Sequence, residues 1–319
     1  MLIREGPEMK EMIVSPTAPY SHDQLMRDVY ALQNVYPELI QFEDAGYSAE
    51  GRALPLIRLG TGRASLLCCG AHHAREYITS AYLMYVVNIY AHTATVHKRF
   101  GSYDMEELLS ACSLYVMPMV NPDGATLVQG GLKAVQQPEN VEKMTLVRPS
   151  YCEWKANVNG VDLNRHYPAL WDQRYMPIDA PASELYSGSL PGTEPEVKAV
   201  MRLCRSHAFR AALSFYAKGE SIAFADTATA EKTPEAQELA RRLADTSDYA
   251  LLPVADNPGI FAASFETWFR DAFLRPALQI RIAPASGGVL PVNERDFFQL
   301  IWKKASGLCT AAMAAVMDE

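Results

Sequence analysis

The chain has 319 residues, which is long enough for two average domains or for one large α/β domain. Its composition, 49% hydrophobic and 21% charged, is typical of a globular protein and excludes disordered, collagen-like and coiled-coil chains. The 29 basic and 37 acidic residues give a net charge of -8, and no block of Lys or Arg could follow a phosphate backbone. These charges argue against a nucleic-acid partner.

No apolar run reaches the roughly 20 residues that cross a bilayer, which predicts a protein without membrane spans. The N-terminal stretch contains acidic residues where a signal peptide would have a basic start, so we expect a cytoplasmic protein. Two of the 6 cysteines, Cys68 and Cys69, are adjacent inside an apolar run. Neighbouring side chains of a strand point to opposite faces, so we expect both thiols to be buried and reduced, which also favours the cytoplasm.

The hydrophobic pattern predicts alternating helices and strands. A first helix is predicted over residues 21–36, because apolar residues recur at helical spacing and Pro37 follows. The remaining elements are predicted, in chain order, as strand 54–59, strand 65–70, helix 77–92, strand 113–120, helix 195–207, strand 211–215, helix 234–245, strand 277–283 and helix 294–317. Thr193 and Glu196 have the spacing of a capping box at one helix start. Short strands that alternate with longer helices predict one α/β domain, a mixed central sheet with helices on both faces.

The segment 129–191 interrupts this alternation. It is rich in Pro, Asn, Tyr and Trp and poor in periodicity, and long insertions of this kind are usually functional or mobile. Residues 60–62, Gly-Thr-Gly, lack the further glycine or lysine of nucleotide-binding loops, so we interpret them as a turn.

The most informative stretch is 65–77. A predicted buried strand ends at Gly70, and His73 and Glu76 follow three residues apart as a helix begins. With this spacing both side chains can face one point at the carboxyl end of the sheet, and an imidazole and a carboxylate so placed are a credible pair of zinc ligands. On this motif alone, a surface turn that carries His and Glu by chance is an equally good explanation.

Five segments form an ordered set, namely AEGR at 49–52, HARE at 73–76, PMVNPDG at 118–124, WKAN at 154–157 and GVDLNR at 160–165. With them the chain resembles the zinc carboxypeptidase family of the carboxypeptidase A type. It is most similar to the bacterial branch that cleaves γ-D-glutamyl-diamino acid bonds of cell-wall peptides. The resemblance implies a domain of this fold over 20–308, after an N-terminal extension over 1–19, with 309–319 ending the C-terminal helix.

The resemblance also implies roles for individual residues. His73 and Glu76 match the first two zinc ligands, and Arg75 matches a neighbouring arginine of a substrate subsite. Asn164 and Arg165 match the pair that binds the terminal carboxylate of the substrate, a role suited to the planar guanidinium. A salt bridge within their own loop is the structural alternative for this pair.

Lys155 occupies the position at which animal-type carboxypeptidases have an arginine that stabilises the oxyanion, and the bacterial branch accepts lysine there. A point charge can still stabilise a developing oxyanion. If the family reaction is intact, the resemblance implies that a zinc-activated water attacks a peptide carbonyl while Arg165 holds the carboxylate of a diamino acid. The substrates would then be cell-wall peptides (muropeptides) recycled in the cytoplasm.

Two positions depart from the family pattern. The third zinc ligand should be a histidine directly after the strand 211–215, and the residue there is Tyr216. The general base should be the glutamate of a Thr-Ile-Glu triplet, and the chain has Arg281 there, after Gln279 and Ile280. The resemblance thus assigns Arg281 the place of the base and Tyr216 the place of the third metal ligand.

Neighbouring residues offer no convincing replacement, because His207 lies on a predicted helix, and Glu266 and Glu294 lie outside the strand that contains Arg281. Catalytic zinc prefers three protein ligands and a water, and tyrosine binds it only as the phenolate. An arginine at position 281 adds a permanent positive charge beside the place of the cation. We therefore expect zinc binding to be weak or absent, and the proton-transfer step, worth about 10²–10⁴-fold, to be lost.

Three functions stay open. The first, which we favour, is a catalytically impaired member that binds a peptide with a free carboxylate, such as a muropeptide. The second is an active zinc metallopeptidase acting on cell-wall peptides, and the third is a purely structural or interaction role. The first hypothesis also predicts that the Arg281 guanidinium fills the space of the zinc ion and pairs with Glu76, with the Tyr216 hydroxyl in the same network.

Overall fold

A mixed sheet of eight strands forms the centre of the protein in the computed structural model, which describes residues 12–144, 150–286 and 291–317. The described residues form these eight strands and two further short ones. In chain order they are β1 (Ile40–Tyr47), β2 (Ala53–Leu59), β3 (Ala64–Gly70), β4 (Arg99–Phe100), β5 (Tyr103–Asp104), β6 (Cys112–Met117), β7 (Ala211–Lys218), β8 (Ser221–Ala223), β9 (Ala250–Leu251) and β10 (Ala277–Ala283). The order across the sheet is β1-β2-β6-β3-β7-β10-β8-β9, and β4 pairs with β5 separately. Strands β6, β3, β7 and β10 run parallel, so their carboxyl ends lie at one edge.

Helices cover both faces of this sheet. They are, in chain order, α1 (His22–Val35), α2 (Ile78–Thr95), α3 (Met105–Ala111), α4 (Pro122–Gly130), α5 (Pro138–Met144), α6 (Pro195–Ser206), α7 (Glu235–Ser247), α8 (Phe265–Phe273), α9 (Lys303–Ala305) and α10 (Leu308–Met317). Helices α1, α2, α7 and α10 contribute to the apolar core on one face, and α6 and α8 to the core on the other. The predicted α/β architecture is confirmed. None of the helices within the described ranges is long and apolar enough to span a bilayer.

The two adjacent cysteines of β3 show how the strand divides its side chains between the cores. Cys68 belongs to one core and Cys69 to the other, and both are fully buried and form no disulfide. The prediction that they are buried on opposite faces is therefore confirmed.

Most predicted elements are present, with shifted ends. The predicted first helix is α1, in which the Ser21 side chain accepts a hydrogen bond from the Gln24 N–H and so caps the N-terminus. The strand predicted over 113–120 ends at Met117, and the chain then turns so that the Val120 N–H donates to the Gly70 carbonyl. The hydrophobic pattern does not predict β1, β8, β9, α3, α4 or α8.

Two local predictions are wrong. Thr193 and Glu196 do not form a capping box, because the N–H groups of Thr193 and Glu194 both donate to Nε2 of the buried His166 ring. The C-terminal region is not one helix over 294–317. A π-helical turn at Phe298–Trp302 and two separate helices replace it, and the turn packs aromatic side chains around Tyr85.

The segment 129–191 is an integral part of the domain. It contains α5 and several short 3₁₀ turns, and its Trp154 is fully buried, while residues 145–149 lie outside the described ranges. The sequence at 60–62 is a turn, as predicted, and the Thr61 and Gly62 N–H groups donate to the Leu109 carbonyl and are not available for phosphate.

Candidate functional site at the carboxyl ends of the parallel strands

A sharp turn after β3 begins the site. Ala71 has a φ of 51°, an uncommon left-handed conformation for a residue with a side chain, and its N–H donates to the Thr79 hydroxyl at 2.8 Å. The next two residues differ in environment: His72 is fully buried beneath the site, whereas His73 lines a cavity. This turn therefore places the predicted ligand His73 at the edge where the parallel strands end.

The loop that contains Lys155 is docked on this turn. The Ala74 N–H donates to the Lys155 carbonyl and the Arg75 N–H donates to the Trp154 carbonyl, each at 3.0 Å. Since Trp154 is fully buried, the loop is anchored in the core and holds Lys155 next to His73.

The resulting cavity has a volume of about 220 Å³. Most of its lining is charged or polar, and six of the residues predicted from the sequence border it. The lining residues are His73, Arg75, Glu76, Lys155, Tyr216, Ala217, Lys218, Gln279, Arg281 and Pro291.

His73 and Glu76 converge, as their spacing predicts. Nδ1 of His73 lies 3.2 Å from Oε1 of Glu76, and its Nε2 lies 3.4 Å from Oδ1 of Asp162. The other Glu76 oxygen, Oε2, accepts the Ala217 N–H at 3.0 Å. Nζ of Lys155 lies 3.3 Å from Oδ2 of Asp162, so these four side chains form one connected group.

Both carboxyl groups of this cluster are ionised. Burial alone would raise the pKa of Glu76, but the charge of His73, the hydrogen bond to its ring and the Ala217 N–H outweigh burial and lower the pKa to about 2. Burial likewise opposes ionisation of Asp162, and the Lys155 ammonium together with His73 holds its pKa well below the usual range.

Tyr216, which the resemblance assigns to the position of the third ligand, forms its hydrogen bonds on the side away from His73 and Glu76. It donates to Oε1 of Glu266 at 2.9 Å and accepts a hydrogen bond from the Ser214 hydroxyl at 3.2 Å. Tyr216 and Glu266 are both almost completely buried, with exposed fractions of 3% and 2%. Burial, and next the charge of Glu266, raise the pKa of Tyr216 well above its ordinary value, so the phenolate that zinc would need is disfavoured.

Arg281 borders the cavity but does not fill it. Its exposed guanidinium donates to Oε1 of Gln279 at 3.4 Å, and no ion pair within the described ranges joins it to Glu76. The prediction of an Arg281–Glu76 pair is therefore wrong. The two Glu76 oxygens already have partners in His73 and the Ala217 N–H, and the Tyr216 hydroxyl is held by Glu266.

Asn164 and Arg165 do not line this cavity. The Asn164 carbonyl oxygen accepts the N–H of Phe265, the first residue of α8, and its amide donates to Oε2 of Glu266 at 3.4 Å. The Arg165 guanidinium donates to the Tyr175 carbonyl. The carboxylate-binding role that the resemblance implies for this pair stays a prediction, and this arrangement does not support it at the cavity.

Several contributors to the site were missed by sequence reasoning. Asp162 stands in the quoted segment 160–165, yet nothing in its type reveals the contact with Lys155. Lys218 follows Tyr216 by two residues on the same strand. Because alternate residues of a strand share a face, the sequence could have predicted that Lys218 lies on the same face as Tyr216. Burial, and next the Arg75 guanidinium, lower the pKa of Lys218.

The donor set does not fit a catalytic zinc ion. His73 and Glu76 supply two convergent atoms, and the third position offers a buried neutral phenol engaged by Glu266. No group of three His, Cys, Asp or Glu side chains in the described part of the chain is arranged to hold a metal ion. The cationic groups of Lys155, Lys218 and Arg281 around the cavity further oppose a divalent cation.

A sequence profile of the zinc carboxypeptidases matches residues 25–280. The chain belongs to the zinc carboxypeptidase family. This is a family of zinc-dependent peptidases, and the resemblance drawn from the five sequence segments is thereby confirmed.

This member of the zinc carboxypeptidase family is also similar to individual proteins of known sequence. It is 29% identical over 303 residues to Gamma-D-glutamyl-L-diamino acid endopeptidase 1 of Lysinibacillus sphaericus, covering 94% of this chain and 74% of that protein. It is 30% identical over 207 residues to the uncharacterized protein YqgT of Bacillus subtilis (strain 168), covering 64% of this chain and 55% of that one. The chain thus spans about three quarters of the first relative and about half of the second.

Among solved structures, the carboxypeptidase A from Helicoverpa armigera superposes with a TM-score of 0.71 at 18% identity, covering 95% of this chain and 75% of that one. At this identity the similarity shows the fold alone, and it agrees with the mixed sheet and its helical layers.

Proposed function

We propose that the protein is a catalytically impaired member of the zinc carboxypeptidase family that binds a peptide through a free carboxylate. The observation that carries the proposal is the hydrogen bond between the buried Tyr216 hydroxyl and Glu266, at the position where the family has its third zinc ligand. A neutral phenol committed to this bond is a poor replacement for an imidazole ligand.

The described lining of the cavity also lacks a suitable general base. Among the described lining residues Glu76 is the only one with a carboxylate, and its two oxygens are occupied by His73 and the Ala217 N–H. An efficient base has a pKa near the working pH, whereas the pKa of Glu76 is lowered to about 2. Arg281 replaces the base of the family and accepts no proton at neutral pH. We therefore expect hydrolysis to be slower than in an intact site by about 10²–10⁴-fold for this step alone.

The ligand class comes from the relative that acts on γ-D-glutamyl-L-diamino acid peptides. The similarity to that endopeptidase extends over 94% of this chain, so we propose a peptide of the same kind, including muropeptides, as the ligand. The unpaired buried thiols of Cys68 and Cys69 favour a reducing compartment, and we propose that binding takes place in the cytoplasm.

Calorimetry on chelator-stripped protein at pH 7.5 tests the impairment. We expect no zinc binding at micromolar concentration by the native chain, and binding by the Tyr216→His, Arg281→Glu double variant. The Tyr216→His substitution removes the hydroxyl that donates to Glu266, which by itself can destabilise the double variant. A triple variant that adds Glu266→Gln to the double variant is the matched control for this loss of stability. Zinc binding in the micromolar range by the native chain, with chelator-sensitive cleavage of a γ-D-glutamyl-L-lysine peptide, would contradict the proposal.

The second candidate is an active zinc metallopeptidase, and one observation favours it. Nδ1 of His73 and Oε1 of Glu76 lie 3.2 Å apart, a separation at which both atoms can contact one ion. The same cleavage assay decides, because this candidate requires turnover that a chelator abolishes and zinc restores.

A further inference from the structure

We infer that the cavity is an anion site in which Lys155, Lys218 and Arg281 hold the free carboxylate of the ligand, at the place where the family binds its zinc ion. This inference rests on the proposed function and deepens it, because it assigns the carboxylate to residues other than Asn164 and Arg165.

The strand register brings two of these cations together. Strands β7 and β10 are parallel, with Arg281 opposite Tyr216 and Ala283 opposite Lys218. Because alternate residues of a strand share a face, Tyr216, Lys218 and Arg281 project from the same face at the carboxyl ends of adjacent strands. The docked loop adds Lys155 from the other side of the cavity.

Cationic groups outnumber anionic groups in the lining. Of the lining residues that the structure describes, Arg75, Lys155, Lys218 and Arg281 are cationic and Glu76 alone is anionic. Arg75 lies 3.6 Å from Glu184 and Lys155 lies 3.3 Å from Asp162, and both of these carboxylates lie outside the described lining.

The guanidinium of Arg281 is the strongest candidate for direct contact. Its hydrogen bond in the described part of the chain goes to the neutral amide of Gln279, so its remaining N–H donors can take an anion. The planar guanidinium matches a carboxylate with two parallel hydrogen bonds, and such charge-assisted bonds are about twice as strong as neutral ones.

The turn after β7 makes room for the Arg281 side chain. Gly219 has a φ of 143°, and a Cβ atom there would lie 2.6 Å from Cδ of Arg281 and 3.2 Å from its Cβ. The Gly219 N–H donates to the Ala283 carbonyl at 2.7 Å, which ties the turn to β10. Only a residue without a side chain lets the arginine stem lie against this turn.

The size of the cavity favours a terminal group as its occupant. Its volume of about 220 Å³ is below the roughly 300–1,000 Å³ of sites that enclose a whole small molecule. A carboxylate with the first atoms of its residue suits this volume, and the rest of a peptide would extend outside.

The test is calorimetry with L-alanyl-D-isoglutaminyl-L-lysine, in which the glutamyl α-carboxyl is an amide and the only carboxylate is the terminal one, and with the C-terminal amide of the same peptide, in buffer that contains a chelator. We expect the free acid to bind at least tenfold more tightly than the amide. Arg281→Gln is expected to weaken binding of the acid at least tenfold and Lys218→Gln about threefold, with partial recovery in Arg281→Lys. Lys98→Gln, which removes one exposed positive charge outside the cavity lining, is the matched control and should bind as the native chain does.

The outcomes separate this inference from the proposed function. If Arg165→Gln abolishes the preference for the acid while Arg281→Gln retains it, the inference is overturned and the proposed function stands. If no peptide binds but acetate or inorganic phosphate binds in an Arg281-dependent manner, the anion site stands and the proposed peptide ligand fails. If neither peptide nor small anions bind to folded native protein, both fail.

Discussion

The two sides of the cavity differ in how they are held. On the first side, His73, Glu76, Lys155 and Asp162 lie within ion-pair distance of one another as one connected group, and the loop that contains Lys155 is anchored by a buried tryptophan. On the second side, the strand ends present Tyr216, which bonds away from the cavity, and the exposed Arg281. The first side is therefore held by a connected group of charged side chains, whereas the second side contains the two residues that depart from the family pattern, and our proposal rests on these two.

Asp162→Ala is expected to have the largest effect on stability, because it breaks the first side. Asp162 is fully buried and its removal leaves the Lys155 ammonium and the His73 ring without their shared partner. Loss of one partner of a buried ion pair destabilises by about 3 kcal/mol or more. Urea denaturation measures this difference, and a loss below about 1 kcal/mol would show that the first side is not held by Asp162.

Acidification is expected to weaken the same side. The folded-state pKa of Glu76, about 2, is below its ordinary value of 4.5, so its ionisation stabilises the fold above about pH 4.5 and this contribution is lost as the pH falls towards 2. Between pH 6 and pH 3 the free energy of unfolding should fall by on the order of 2 kcal/mol more in the native chain than in Glu76→Gln. Parallel pH profiles for the two proteins would contradict the assignment.

Tyr216→Phe tests how much the hydrogen bond from the Tyr216 hydroxyl to Glu266 stabilises the second side. The substitution leaves one oxygen of the buried Glu266 without its donor, and an unsatisfied buried acceptor costs about 1–3 kcal/mol. The Tyr216→Phe, Glu266→Gln double variant should recover part of this loss. Thermal unfolding of the four proteins of the cycle gives the coupling, and additive losses would show that the hydrogen bond contributes nothing.

Arg281→Gln is expected to have the smallest effect on stability. The guanidinium is exposed and contacts a neutral amide, so the free energy of unfolding should change by less than about 0.5 kcal/mol. A larger loss in the free energy of unfolding, measured by urea denaturation, would mean that the guanidinium of Arg281 stabilises the fold and is not available to bind a ligand.

The sequence predicts the convergence of His73 and Glu76 because their relation is local, three residues apart after a buried strand. It also predicts that Tyr216 and Arg281 reach the cavity, because strand register and motif order place them. It does not predict the partners of Glu76 and Tyr216. One is the backbone N–H of Ala217, which no residue type reveals, and the other is Glu266, which lies on an unpredicted helix.

The start of that helix had a readable signal. Ser264 accepts a hydrogen bond from the Thr267 N–H and caps α8, and serine at such a position is a common helix start. The contact between Glu266 and Tyr216, by contrast, joins residues 50 positions apart and depends on the packing of α8 against β7.

The bond between Tyr216 and Glu266 also constrains how the chain can evolve. A histidine at position 216, arising alone, deprives a buried carboxylate of its hydroxyl donor before any metal ligand set is complete, because Arg281 still lies beside the cavity. Under the proposed function, each single step back towards the family's residues is therefore expected to lower stability or to leave the site impaired. We therefore expect the order of such substitutions to matter, with a change at Glu266 preceding or accompanying Tyr216→His.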